Sequence, residues 1–186
     1  MGFHTFDPGE TDRLEDPSRF RFCSREELLQ ELPRDGSETI LDVGSGTGFY
    51  ADELAPFVGR LVGLDLQPAM HHQYRTRGVP ENVSLVTGEA GSLPLATDTV
   101  DGIVSTMTYH ESSTEDSASE LARILVPDGV YVAVDWSSEG RGASGPPRSE
   151  RFNAAQASER LAAGGLVVDR AVERSETFLI VARAPT

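Results

Sequence analysis

A chain of 186 residues can bury a sizeable core as one domain without disulfide support. Asp and Glu total 30 against 16 basic residues, every one of them arginine, for a net charge of -14; the single cysteine, Cys23, excludes an internal disulfide and a cysteine-rich metal site. That field repels nucleic-acid phosphates and no apolar run approaches bilayer length, so neither nucleic acid nor a membrane is an expected partner.

The acids are scattered rather than gathered into a tail. An acidic, lysine-free globular chain is what a salt-rich cytoplasm would select, because high salt screens self-repulsion and dense carboxylates hold water. The plainer alternative is a GC-rich genome that favours arginine codons. The first twenty residues carry acids and no apolar stretch, so no secretory leader is expected and a cytoplasmic location is the default.

In chain order, residues 1–22 are rich in Asp, Arg, Phe and Pro without a clear period. Ser24 then opens a short helix, with Glu27 placed to complete a capping box. Residues 1–37 are expected to be an N-terminal extension, either a surface strap or a flap over a site, and residues 38–186 a single core domain. From Glu38 onward, short apolar runs alternate with segments of helical period, the pattern of a parallel sheet with crossover helices. Strands are predicted near residues 39–43, 61–65, 83–86, 100–105 and 130–135, with a terminal pair near 167–172 and 178–183. One helix is expected to stack Tyr50, Leu54, Phe57 and Val58, another Leu121, Ile124 and Leu125. A third is expected to start after Asn153 and stop at Gly164 and Gly165. The last two strands are too close for a crossover helix and should pair antiparallel. The expected fold is α/β, a Rossmann-like seven-stranded sheet of five parallel strands plus a C-terminal antiparallel hairpin, with helices on both faces.

The strongest motif is Ile40-Leu41-Asp42-Val43-Gly44-Ser45-Gly46-Thr47-Gly48-Phe49, a strand entering a glycine-rich turn and then a helix. Glycines there permit positive φ and let a ligand approach bare backbone, while the helix start offers free N–H donors. A dinucleotide fingerprint would need Gly or Ala where Phe49 stands. Asp42, two residues before the first glycine, suits a ligand whose tail carries an ammonium and a carboxylate. Asp65 ends the next strand, where an acid can accept from both ribose hydroxyls. After the third strand, Glu89 can accept an adenine amino proton while the Ala90 N–H meets a ring nitrogen. Each acid alone could be ordinary loop solvation; three at successive strand ends mark the crevice edge where open α/β sheets bind ligands.

With these residues the chain resembles class I S-adenosylmethionine-dependent methyltransferases, in the broad group that includes ubiquinone and menaquinone biosynthesis enzymes. The resemblance runs from about residue 38 to 183, and Leu121-Ala122-Arg123-Ile124-Leu125-Val126-Pro127-Asp128-Gly129 is similar to the group's stretch before the fifth strand. It departs at Asp128, where Gly is usual, which bears on the turn. The resemblance implies S-adenosylmethionine as cofactor, with Asp42, Gly44, Gly46 and Gly48 around its methionine moiety, Asp65 on the ribose, and Met70 and Glu89 near the adenine. Ser45, Leu66, Ala90 and Thr106 complete the expected cofactor-binding set.

A sulfonium methyl is already an activated electrophile, so the protein mainly aligns a nucleophile and excludes water. Tyr50 and Tyr109 are candidate aromatic faces for the cation. His110, in Ser105-Thr106-Met107-Thr108-Tyr109-His110-Glu111 past the fourth strand, is the candidate catalytic base; the alternative is a histidine bonded to loop backbone. Tyr109 and Trp136 are the candidate substrate contacts; Trp136, with Asp135 at the end of the fifth strand, either walls the acceptor pocket or closes the core. Gly145-Pro146-Pro147-Arg148 reads as a rigid turn or part of a lid, and His4 could reach the pocket from the N-terminus. No metal is expected, since His4 and His110 lack a clear third ligand. His71 and His72 are expected to be solvated on a helix surface. The functional expectation is methyl transfer to a small-molecule acceptor. A non-catalytic S-adenosylmethionine-binding sensor or partner subunit is the alternative, and a nicotinamide-dependent dehydrogenase is disfavoured by Phe49.

Overall fold

A computed structural model describes residues 13–114 and 116–186. Its strands are β1 (Thr39–Val43), β2 (Arg60–Asp65), β3 (Val83–Thr87), β4 (Val100–Thr106), β5 (Leu125–Trp136), β6 (Val167–Glu173) and β7 (Thr177–Arg183). They form one seven-stranded sheet in the order β3-β2-β1-β4-β5-β7-β6. The pairs from β3 through β5 are parallel, and β7 runs antiparallel to both β5 and β6. The Rossmann-like sheet with a closing antiparallel hairpin is therefore present as expected.

The helices are α1 (Arg25–Glu31), α2 (Phe49–Leu54), α3 (Pro68–Arg77), α4 (Tyr109–Ser112), α5 (Ser117–Ile124) and α6 (Ala154–Ala163). Both faces of the sheet are buried, so its strands read as continuous apolar runs whose alternate residues enter opposite cores. Leu41, Ile103, Tyr131 and Phe178 pack with Leu121 of α5 and Leu161 of α6. Ile40, Val104, Val132 and Leu179 pack with Leu28 of α1, Leu54 of α2 and Tyr74 of α3. Asp42 shares the parity of Ile40, which turns its carboxylate toward α1, α2 and the N-terminal segment.

Local signals account for most helix ends. Asn153 and Gln156 form a reciprocal capping box at α6. Ser24 accepts the Glu27 N–H at 3.2 Å, but the return half is not made, because the Glu27 carboxylate is committed to an ion pair with Arg174. Two packing expectations need correction. Phe57 is 45% exposed, because α2 gives way to a 3-10 turn at Ala55–Phe57 and the ring lies instead under the Arg25 guanidinium. Leu125 is buried as expected but opens β5 rather than closing a helix.

The ladder between β4 and β5 jumps from Val100–Leu125 to Gly102–Val130, so residues 126–129 loop out. Asp128 stands at φ 60° in that loop, in the left-handed region where the related stretch carries glycine. Asp is among the few side chains that tolerate it.

β1 lies between β2 and β4, so successive crossovers leave it in opposite directions. That reversal opens a crevice beyond the carboxyl ends of β1 and β4. Among the described residues, no helix is long and apolar enough to cross a membrane.

Candidate active site

A cavity of about 620 Å³ occupies this crevice. Each central strand contributes its carboxyl end: Val43 and Gly44 after β1, Asp65 after β2, Gly88 after β3, Thr106 from β4 and Trp136 from β5.

The glycine turn is held from behind, since the Gly44 and Ser45 N–H groups both donate to the Leu64 carbonyl, at 2.8 and 2.9 Å. Gly44, Gly46 and Gly48 all have positive φ, yet they serve different neighbours. Gly44, Ser45 and Gly46 line the cavity, and a methyl on Gly46 would meet only Leu14 Cδ1, at 3.7 Å. Gly48 does not line it; a Cβ there would stand 2.2 Å from the Tyr74 ring, so this glycine serves helix packing instead of the expected ligand contact.

Asp42 is buried just behind the turn, and its Oδ1 has no hydrogen-bond partner among the described residues. Burial pushes its carboxyl up to about 7; the Arg19 guanidinium opposes that rise and Asp65 adds to it. A buried carboxylate oxygen without a donor calls for a cation, and a bare-backbone cradle sits beside it. Both features fit a ligand whose amino-acid tail carries positive charge.

Asp65 Oδ2 accepts the Gly46 N–H at 2.9 Å and Oδ1 accepts the Gln67 N–H at 2.8 Å, which tie β2 to the glycine turn. Burial raises its pKa and these two backbone bonds oppose the rise. Each oxygen keeps acceptor capacity for a ribose hydroxyl. Beside it Leu66 is 55% exposed on the cavity rim, while Met70 and Ala90 are buried in the wall and Glu89 is exposed at the same end. Leu66, Met70 and Ala90 give this part of the cavity an apolar lining suited to a flat base.

His71 corrects an expectation of solvation. Its side chain is buried, with Nε2 3.4 Å from Ser45 Oγ and Nδ1 3.3 Å from Thr87 Oγ1. Burial lowers its pKa, which favours the neutral ring and lets it bridge the loops after β1 and β3. His72, the next residue, is exposed as expected.

The cavity is also lined by His110, Glu111, Trp136, Phe22 and the loop residues Ser144, Gly145 and Pro146. Asp135 is fully buried, and its carboxylate accepts the backbone N–H groups of His110 and Trp136, each at 2.6 Å. It also faces His110 Nδ1, at 2.9 Å from Oδ2 and 3.0 Å from Oδ1. Burial alone would lower the His110 pKa, but the Asp135 charge and hydrogen bond outweigh it, and the net shift is upward. Glu111 Oε1 lies 3.7 Å from His110 Nε2, and burial pushes that carboxyl up to about 7. The alternative of a histidine merely bonded to backbone does not describe His110, whose ring is held by a carboxylate.

Trp136 lies in the wall as expected, edge-on to Phe22 with ring centroids 4.6 Å apart. Gly145 is packed on its indole: a Cβ would come within 2.4 Å. Arg148 and Arg151 pin the loop through the carbonyls of Ser138, Ser144 and Pro146.

Tyr109 and Tyr50 are corrections. Tyr109 points into the core between Phe152 and Phe178, with its hydroxyl toward the Ala157 carbonyl, and it does not line the cavity. Tyr50 is equally buried and donates to the Cys23 carbonyl at 3.0 Å. Tyr109, at the start of α4, turns toward the core, while His110 and Glu111 after it turn toward the cavity.

Leu14, Asp16, Ser18 and Arg19, together with Phe22, form an N-terminal part of the wall that no sequence motif marks. Arg19 is anchored over the Phe49 and Tyr50 rings, at 4.7 and 5.1 Å from their centroids. The only sequence signal was an alternation of Arg and Phe from Arg19 to Phe22. His4 lies outside the described residues. Among the described residues, no cluster of His, Cys, Asp or Glu could hold a metal ion.

The family model described as a methyltransferase domain matches residues 41–133. A crystal structure of an S-adenosylmethionine-dependent methyltransferase from Aquifex aeolicus is 32% identical, with a TM-score of 0.86 over 96% of this chain and 99% of that one. The chain belongs to the class I S-adenosylmethionine-dependent methyltransferases. A probable S-adenosylmethionine-dependent methyltransferase of Mycolicibacterium smegmatis is 30% identical over 80% of this chain and 60% of that protein. A sterol 24-C-methyltransferase of Pneumocystis carinii is 33% identical over 53% of this chain, a match spanning only 28% of that protein. The cofactor this family implies is S-adenosylmethionine, and the cradle, the orphaned Asp42 oxygen and the Leu66–Met70 surfaces fit it.

Proposed function

We propose that this chain transfers a methyl group from S-adenosylmethionine to a small-molecule acceptor. One observation carries the reading: a single cavity is lined by Gly44, Gly46 and Asp65 together with His110 and Trp136. Its volume lies within the range of small-molecule sites, roughly 300–1,000 Å³. When bound, the cofactor supplies an activated methyl electrophile.

The chain's own residues bind, orient and exclude water. Asp65 accepts from the ribose, Leu66, Met70 and Ala90 enclose the base with Glu89 at its edge, and the turn with Asp42 behind it holds the charged tail. Thr106 marks the passage from donor to acceptor. Trp136 and Phe22 wall the acceptor, and Leu14 and Arg19 help keep water out from the N-terminal side. The net charge of -14 weighs against a nucleic-acid acceptor. It also supports a home in a salt-rich cytoplasm.

The experiment is incubation with methyl-labelled S-adenosylmethionine and a salt-rich small-molecule extract, followed by identification of the labelled product. A labelled small molecule that appears only with the folded protein supports the proposal. Tight donor binding with no label transferred would make the chain a non-catalytic binder.

A further inference from the structure

The mechanism outlined above leaves the nature of the acceptor's nucleophile open, and the Asp135–His110 pair bears on it. Asp135 is buried and receives two backbone N–H groups in addition to facing the imidazole. An oxygen pair crowded by donors acts only as acceptor, so the proton between the two side chains belongs to Nδ1. Nε2 is then the lone-pair nitrogen of the neutral ring. Glu111, at 3.7 Å, stands beyond hydrogen-bond reach of it. The His110 side chain is 9% exposed and lines the cavity beside Trp136. A lone pair held in this way on the acceptor side is the arrangement of a base.

We infer that Asp135 is a positioning residue that presents His110 Nε2 to the cavity as a proton acceptor, and that the methyl acceptor is a molecule whose nucleophilic heteroatom carries a proton. This rests on the methyl-transfer reading and deepens it. As the heteroatom bonds the methyl carbon, its proton passes to Nε2. The carbon–sulfur bond breaks with its electron pair left on sulfur, and the imidazolium is balanced by Asp135. A nucleophile without a proton, such as a tertiary amine or a thioether, would need none of this. Trp136 and Phe22, packed edge-on to each other, give the acceptor an apolar aromatic wall.

The first test needs no acceptor. Nitrogen-detected NMR of the wild-type protein reads the His110 tautomer and its titration directly. The charged groups facing the ring are Asp135 from β5, its neighbour Glu111 in α4, and Arg151 from the segment before α6. The expected result is the Nδ1–H tautomer when neutral, with a midpoint above the ordinary value of about 6.5. The Nε2–H tautomer in the wild type would overturn the inference even if no variant folds. Asp135→Asn should lower the midpoint and mix the tautomers while leaving S-adenosylhomocysteine affinity unchanged; an unmoved midpoint in a folded variant would overturn the role of Asp135.

The second test reads the labelled product. A label on an oxygen, sulfur or nitrogen that bore a proton supports the inference, and a label on carbon or on a former tertiary amine or thioether overturns it. A wild type that fails to bind S-adenosylhomocysteine would sink the methyl-transfer reading instead, a result distinct from either tautomer outcome.

Discussion

Two glycines of one turn should respond differently to the same substitution, one mainly in stability and the other mainly in binding. At Gly48, φ is 94° and an added methyl would meet the Tyr74 ring at 2.2 Å, with the ring itself fully buried. Gly48→Ala therefore combines left-handed strain of about 1–2 kcal/mol with overpacking of about 1–3 kcal/mol. A loss of about 2–5 kcal/mol lowers the melting temperature by roughly 4–20 °C in a domain of this size. At Gly46 φ is 54° but only Leu14 Cδ1 is near, so Gly46→Ala carries the strain alone, about 1–2 kcal/mol. Its methyl enters the cavity, and its main effect should be several-fold weaker S-adenosylhomocysteine binding. The assays are thermal unfolding and titration calorimetry on each variant. In the double variant Gly48→Ala with Tyr74→Ala, the loss should be smaller than the sum of the two single losses, because the second change removes the clash. A Gly48→Ala protein that melts within a degree or two of wild type would refute the packing argument.

Asp42 should couple binding to pH. Its folded carboxyl, at about 7, holds a proton more tightly than an unfolded Asp at about 4. The free protein therefore loses stability as pH rises between those values. A cationic ligand tail favours the ionised form, so near pH 6 S-adenosylmethionine binding should release protons and tighten as pH rises toward 7. Calorimetry in buffers of different ionisation enthalpy checks this, and no proton exchange would place the ligand's charge elsewhere. Salt should stabilise the fold: the melting temperature should rise between dilute buffer and molar potassium chloride as the net charge of -14 is screened. A flat or falling curve would leave only a genomic explanation for the missing lysines.

The sheet was legible because interior parallel strands are apolar on both faces, as in Ile40-Leu41 and Val130-Tyr131-Val132, and are punctuated by glycine or acidic turns. The strand-end acids were legible for the same reason, since a lone Asp closing an apolar run stands out. Side-chain direction beyond a strand end was not. Tyr109 and His110 are neighbours in sequence, and only the start of α4 decides which one enters the core. His71 was misread because α3 buries a polar residue beside Met70 and Tyr74, and its partners Ser45 and Thr87 come from other loops. The N-terminal wall has no period to read. Its place is set by distant partners, with Glu15 joined to Arg77 and Glu27 to Arg174.

The carboxylate proposed to hold the ribose, Asp65, offers the sharpest test of the donor site. Asp65 closes β2 and lies in the cavity wall. Titration calorimetry of S-adenosylhomocysteine should show one site in the wild-type protein. Asp65→Ala should weaken binding by about 1.5–3 kcal/mol, the worth of hydrogen bonds to a charged group, or roughly ten- to 150-fold. Equal affinity in the two proteins, or no binding to the wild type, would contradict the assignment of this cavity to S-adenosylmethionine.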